Sequence, residues 1–336
     1  MQKIPEVKFP RSPYVAVREE LDGGFSQGWG FHFTPNEQYW VDAHTHLRGV
    51  TNLAELTDVL NRWFYHAEAY RLGRVTAFVE DEALFGACGA VASADPRFSW
   101  FYWPDWNGKL ENVKHAFDCG AVGLKLHNSE AMRGNFDPAV WENDEWSKIF
   151  EFLNDRGAAV NWHVTQRVSY SPYHGGGDNA YWSDGAKNGV KFDNRDLLAQ
   201  FLRVADSHPN IAMIGAHQLY VSNAALAELF AKHKNVHVDT SVGYFLRWAD
   251  QLHPEDAEIY RDFVVEHGDR LLFGTDSMLT PASIDPYLVE SWKCHARFIM
   301  ALRLPNETLQ AVAHGNAERL FRLNPCGEAR KYSTRP

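Results

Sequence analysis

In this 336-residue chain, histidines and carboxylates recur where apolar runs end. His44 and His46 lie in YWVDAHTHL (39–47), and Lys125 and His127 in GAVGLKLH (120–127). His163 lies in AAVNWHV (158–164), His217 in NIAMIGAHQ (210–218), Asp239 in NVHVDTS (235–241) and Asp276 in RLLFGTDS (270–277). A buried imidazole is costly unless hydrogen-bonded or coordinated. Neutral imidazoles with one carboxylate form a nitrogen and oxygen donor set that suits zinc, with manganese, iron or cobalt as alternatives. His44 and His46 are two apart, and side chains alternate along a strand, so both project to one side and could share an ion. The spacing alone is weak, because the 16 histidines here give roughly 0.8 such triplets by chance. Context strengthens it, since each further donor also closes a run. His163 and Asp276 complete a three-histidine, one-carboxylate set.

Each residue has a structural alternative. His163 could be a satisfied core histidine, and Asp276 an Asx-turn or N-cap residue. His217 could ligate a second metal or donate to a substrate oxygen. Lys125 could carry a carbamate bridging two metals, be a desolvated amine, or reach solvent along its stem. Arg48 and Arg167 could bind an acidic substrate or simply be solvated.

The elements that must position these side chains follow from the runs. RVTAFVE (74–80) and GACGAVASA (86–94) bring the count to eight. Several runs are almost continuously apolar, as in parallel strands covered on both faces, and amphipathic stretches lie between them. Eight strands with intervening helices predict an α/β fold, the (β/α)8 TIM barrel, which carries its chemistry at the carboxyl ends of its strands. Helix punctuation agrees. Asp137 and Pro138 open a helix that Gly157 closes, Ser222 opens another, and a third runs from Pro254 to Gly268. The expected organisation is an extension over 1–38, a single barrel domain over 39–323 and a tail over 324–336. A long irregular stretch, 169–189, follows the fifth strand as a candidate lid. An aromatic loop, FSWFYWPDWNG (98–108), follows the third, where Trp100, Trp103 and Trp106 could face a flat or apolar substrate.

With 45% hydrophobic residues the chain can build a substantial core, and disordered or collagen-like classes are excluded. Its formal charge of −10, with acids and bases interleaved, lacks the basic stripe of a nucleic-acid binder. No run approaches a membrane span, and MQKIPEVKFPRSP lacks the apolar stretch of a secretory signal. These features predict a cytoplasmic protein with a small-molecule substrate, no nucleic-acid or membrane partner, and scope for a homo-oligomer. Cys88, Cys119, Cys294 and Cys326 form no CxxC and read as reduced thiols.

Taken in order, VDAHTHL (41–47), GAVGLKLH, NWHV (161–164), GAHQ (215–218), FGTDS (273–277) and GNAERLF (315–321) resemble the amidohydrolase superfamily. The closer resemblance is to amidohydrolase-related family 2, TIM-barrel metal-dependent hydrolases that also include decarboxylases. It covers roughly residues 39–323. The resemblance implies that His44, His46, His163 and Asp276 hold one divalent ion, usually zinc, and that Asp276 exchanges a proton with bound water. It implies that His217 orients a substrate carbonyl or carboxylate. Lys125 matches a family position that in this branch is not usually a bridging ligand, so a second metal is not expected.

Three functions fit these residues. The first is a metal-dependent hydrolase of the amidohydrolase type, in which activated water attacks the carbonyl carbon of a lactone, ester or amide. The second is a metal-dependent carboxy-lyase (decarboxylase) acting on an aromatic or unsaturated carboxylic acid. The third is a non-catalytic barrel that binds a ligand or a structural metal.

Overall fold

The computed structural model describes residues 38–67, 72–165, 189–241, 254–281, 295–296, 299–300 and 302–324. The expected extension before residue 38, nearly all of the candidate lid, Arg167, Cys294, Cys326 and the tail after residue 324 lie outside the described residues. All strand pairs are parallel, in the order β8-β7-β6-β5-β4-β3-β2-β1-β9. The strands are β1 (Trp40–Leu47), β2 (Leu72–Val79), β3 (Phe98–Tyr102), β4 (Gly123–His127), β5 (Ala159–His163), β6 (Ala212–Gly215), β7 (Val236–Asp239), β8 (Leu271–Leu272) and β9 (Ser277–Leu279).

The last two are halves of the expected eighth strand. β8 pairs with β7 and β9 pairs with β1. Between them the Phe273 carbonyl accepts from Ala43 N (2.9 Å), and Asp276 N donates to the His44 carbonyl (2.8 Å). This split run closes the sheet into a (β/α)8 barrel, with α1 (Leu53–Ala67) and the later helices outside it.

The expected third strand is a correction. GACGAVASA is the helix α2 (Phe85–Ala94), and β3 is FSWFY, the start of the stretch read as a loop. Alanine is the strongest helix former, whereas aromatic residues fit a pleated surface. In β3 the side chains alternate: Phe98, Trp100 and Tyr102 join the layer under the helices, and Phe101 joins the barrel interior. Trp100 is therefore a core residue.

A second correction concerns the helix expected from Pro138. Residues Pro138–Glu142 form a short 3-10 turn. After α3 (Leu110–Asp118) and the one-turn α4 (Ser129–Met132), helix α5 starts only at Asp144 and runs to Arg156. Asn143 Oδ1 accepts from Glu145 N and Trp146 N, each at 2.9 Å, and so satisfies the first free amides. Gly157 ends the helix at φ 55°, the left-handed region that glycine adopts without a Cβ penalty. Asp193 heads α6 (Asn194–Ser207) with a capping box, and Ser222 caps α7 (Asn223–Lys232) as expected. Helix α8 spans Pro254–His267, also as expected. Among the described residues, no helix is long and apolar enough to cross a membrane.

The barrel interior has two layers. The lower is apolar: Val41, Phe101, Ala159, Ala212 and Leu272, closed by Ala317 and Phe321. After α9 (Asn306–Gln310), α10 (Asn316–Leu320) and the residue that follows it supply this plug. The GNAERLF motif thus has a structural reason. Asn316 is buried and its Nδ2 donates to the carbonyls of Gly268 and Leu271, both at 2.7 Å, which ties the plug to the start of β8. The upper layer is polar, with His44, Lys125, Asn161 and Asp239 each at most 1% exposed.

Removing the Asn316 amide leaves two carbonyls without that donor. Asn316→Ala is expected to lower unfolding stability by about 1–3 kcal/mol, read from urea denaturation midpoints. An unchanged midpoint would show that the tie contributes nothing.

Candidate metal centre

Residues of β1 begin the site. Its register against β2 slips between Asp42 and Thr45, a bulge-type irregularity at His44. Past it, His44 and His46 both reach the carboxylate of Asp276. His46 Nε2 lies 2.9 Å from Asp276 Oδ1 and His44 Nε2 lies 3.3 Å from the same oxygen. Donor atoms of His44, His46 and Asp276 all fall within 4.8 Å of one another. His44 Nε2 and His46 Nδ1 are buried without a hydrogen-bond partner. A buried imidazole nitrogen without a hydrogen-bond partner beside a carboxylate oxygen is a donor set that suits a divalent cation.

The segment carrying Asp276 is shaped for this. Asp276 sits at φ 61°, where a non-glycine residue is strained by about 1–2 kcal/mol. Two ties hold it. Asp276 N donates to the His44 carbonyl, and Asp42 accepts from Thr275 N (3.1 Å) and Thr275 Oγ1 (2.5 Å). A Cβ on Gly274 would lie 2.8 Å from His44 Cβ, so only glycine lets this segment pass beside β1. Burial raises the Asp42 carboxyl to about 7 against these hydrogen bonds.

Beneath the cluster lies Asp239, fully buried at the end of β7. Its Oδ2 accepts from His44 Nδ1 (2.8 Å) and Asn161 Nδ2 (2.7 Å). Its Oδ1 accepts from His217 N (2.9 Å), Ser241 N (3.2 Å) and, in a short contact, Ser241 Oγ. Burial would push this carboxyl up, but the charge and hydrogen bond of His44, with further help from His217 and Lys125, outweigh it, so it stays ionised. For His44, burial and Lys125 push downward, yet Asp239 and Asp276 hold the imidazole above its ordinary value.

Lys125 is fully buried. Its Nζ donates to Asn161 Oδ1 (2.7 Å) and lies 4.7 Å from the Phe78 ring centroid. Burial lowers it to about 8, with Asp239 and Asp276 opposing. It stands behind Asn161, outside the His44–His46–Asp276 group, and it does not reach solvent.

β6 ends at Gly215, so His217 follows the strand on a turn. His217, Gln218, Leu219 and Tyr220 are all left-handed, at φ 50° to 56°. The turn is held by His217 N to Asp239, His217 Nδ1 to the Ser241 carbonyl (2.7 Å) and Thr165 Oγ1 to the Leu219 carbonyl (2.5 Å). It brings His217 Nε2 to within 3.2 Å of His163 Nδ1. His163 thus reaches the same mouth through His217, outside the three-residue cluster. Arg48 pairs with Glu80, and its guanidinium carbon lies 4.9 Å from the Trp103 ring centroid.

A cavity of about 980 Å³ opens at this end of the barrel, lined in part by His46, His127, Trp103, Arg48, Tyr102 and Glu82. Trp103 touches both the His46 and the His127 rings, while Trp106 stacks on Phe136 at the cavity wall. Nothing in the sequence assigned Asp239 a role or pointed to Asn161 and Ser241. Asp239 alone left a trace, as an acid closing an apolar run; Asn161 and Ser241 left none, because their partners lie far off in the chain.

The profile of the family described as Amidohydrolase matches residues 41–323. No curated protein matches the chain. Among solved structures it is similar to a candidate 2-pyrone-4,6-dicarboxylic acid hydrolase from Pseudomonas putida. That match is 15% identical, covers 86% of this chain and 99% of the other, and has a TM-score of 0.55. It is also similar to 2,6-dihydroxybenzoate decarboxylase from Rhizobium, at 14% identity, 86% and 100% coverage and TM-score 0.54. A third is an amidohydrolase from Burkholderia multivorans with bound zinc, at 17% identity, 85% and 100% coverage and TM-score 0.54. At these identities the likeness is one of fold.

The buried imidazoles set a pH dependence for the metal-free protein. Burial first, with nearby positive charge, takes His46 and His217 down to about 4 and His127 and His163 well below their ordinary value. Unfolded imidazoles bind protons below about 6.5, so between that pH and 4 the unfolded state takes up more protons and stability falls with pH. His237, taken by burial to about 3, adds to this, while His44 and Asp42, both raised, oppose it: two groups against five. The melting temperature of chelator-treated protein is expected to drop steadily from pH 6.5 to 4.5. A flat profile would mean that these rings are hydrated.

Proposed function

This chain belongs to the amidohydrolase family, and from that premise we propose that it is a metal-dependent hydrolase of a small molecule. The bond cleaved is at the carbonyl carbon of a lactone, ester or amide. The observation that carries this reading is the convergence of His44, His46 and Asp276 within 4.8 Å, with His44 Nε2 buried and unpartnered.

In this reading His44, His46 and Asp276 hold one divalent ion, and His163 supplies a further nitrogen. Zinc is favoured, supported by the zinc-bound relative from Burkholderia multivorans, with manganese, iron or cobalt as alternatives. Such an ion makes a coordinated water acidic near neutral pH and polarises a carbonyl. A second ion is not part of the proposal, because Lys125 is engaged by Asn161.

The chain's own groups have separable tasks. Asp239 holds the proton of His44 on Nδ1, so Nε2 is the nitrogen His44 would give to the ion on losing its second proton. Asp276 turns Oδ1 toward both imidazoles, and Oδ2, which takes no hydrogen bond among the described residues, is the atom that accepts a proton and returns it to the leaving group. His217, fixed on its left-handed turn with Nδ1 on the Ser241 carbonyl, accepts from His163 Nδ1 at its Nε2 and so orients the His163 ring. Arg48, a candidate anchor for an acidic substrate, is paired with Glu80, which favours an uncharged carbonyl substrate.

A second reading is a carboxy-lyase using the same ligands, supported by the fold likeness to the rhizobial decarboxylase. Zinc-loaded protein incubated with lactones, esters, amides and aromatic carboxylic acids separates the two. Hydrolysis products without carbon dioxide support the proposal; carbon dioxide release from an aromatic acid transfers it to the second reading.

Asp239→Ala is expected to weaken zinc binding by about 10–100-fold, measured by competition with a chromophoric chelator, because the His44 tautomer is no longer fixed. Unchanged affinity would place the ion elsewhere.

A further inference from the structure

Six rings close a circle around the mouth of the barrel. Successive ring centroids are 5.4 Å from His44 to His46, 5.1 Å to Trp103, 5.5 Å to His127, 4.1 Å to His163, 4.7 Å to His217 and 5.1 Å back to His44. The tautomers of four imidazoles follow from the partners of their nitrogens. His44 donates from Nδ1 to Asp239, so in its neutral form Nε2 carries the lone pair. His217 donates from Nδ1 to the Ser241 carbonyl, so its Nε2 accepts, and His163 Nδ1 must donate to it. His163 Nε2 is then also a lone pair.

His127 has the opposite polarity. The backbone N–H of Ser129 donates to His127 Nδ1 at 2.9 Å, so that nitrogen carries the lone pair and the proton sits on Nε2. Nε2 has no hydrogen-bond partner among the described residues, and the residue lines the cavity that His46 also lines. The ring is clamped between Trp103, stacked at 16°, and His163 at 33°. A lone pair serves a cation, whereas an N–H serves an oxygen.

We propose that His127 is a substrate-binding residue whose Nε2–H donates to an acceptor oxygen of the molecule bound beside His46. The ligand class is therefore one that presents a carbonyl or carboxylate oxygen at that position. Charge developing on such an oxygen would meet a donor already in place. His217, whose Nε2 is an acceptor in this network, cannot supply that donor as a neutral ring. This inference rests on the metal-dependent reading above.

Cobalt(II)-loaded protein gives a test with a visible spectrum, and acetohydroxamate, whose two oxygens chelate such an ion, is the probe. His127→Phe keeps a stacking ring and removes the donor. It is expected to weaken acetohydroxamate binding about tenfold with cobalt affinity unchanged, the size of one neutral hydrogen bond. His127→Gln, which restores an N–H, is expected to recover most of the loss. Equal affinity in His127→Phe and the unsubstituted protein overturns the proposal, as does an equal loss in both variants. Failure of the unsubstituted protein to take up cobalt overturns the metal reading itself, a separable result. Nitrogen-15 spectra of the unsubstituted zinc-loaded protein need no variant: a bare Nδ1 and protonated Nε2 on His127 support the proposal, and the reverse assignment overturns it.

Discussion

A carboxylate with no exposure to water stays ionised only if its lone pairs are filled and its charge is met, and Asp239 is held this way. Five donors from four residues reach it, and the buried Lys125 stands behind one of them. Stripped of these partners, a buried carboxylate would cost several kcal/mol. With them it fixes the tautomer of His44, anchors the turn that carries His217 and, through Asn161, gives Lys125 a place inside the barrel. The upper layer of the interior is thus one connected polar network, and the three-residue cluster is its outward edge.

The barrel makes this network affordable. Its lower layer is apolar and sealed by Phe321, so the polar groups are concentrated at the carboxyl ends of the strands. Strain concentrates there as well. The interrupted eighth strand places Asp276 at positive φ, and four successive left-handed residues carry His217. Such conformations persist where the surroundings over-determine them, and here each is pinned to Asp42, Asp239, Ser241 or Thr165.

Much of this was legible in the residues themselves. Polar side chains closing apolar runs marked the strand ends, and the alternation of side chains put His44 and His46 on one side of their strand, where both lie near Asp276. The run GACGAVASA misled because alanine and glycine carry little periodic signal, while FSWFY hid its strand character in an aromatic stretch that also resembles a loop. The left-handed turn at 217–220 contains no glycine and so announced nothing. The tie between His44 and Asp239 spans most of the chain, and the tautomer of His127 depends on one backbone amide two residues on. Such facts exist only once the barrel has closed.

The family to which the chain belongs contains enzymes, and the arrangement of lone pairs and one carboxylate at the mouth is what supports a metal-dependent reaction here. The most direct measurement is X-ray absorption at the zinc edge of the loaded protein. The account predicts a shell of nitrogen and oxygen only, with the outer scattering of at least two imidazoles, abolished by the double substitution His44→Ala and His46→Ala. Sulfur in the shell, or an imidazole signal that survives that double substitution, would contradict it.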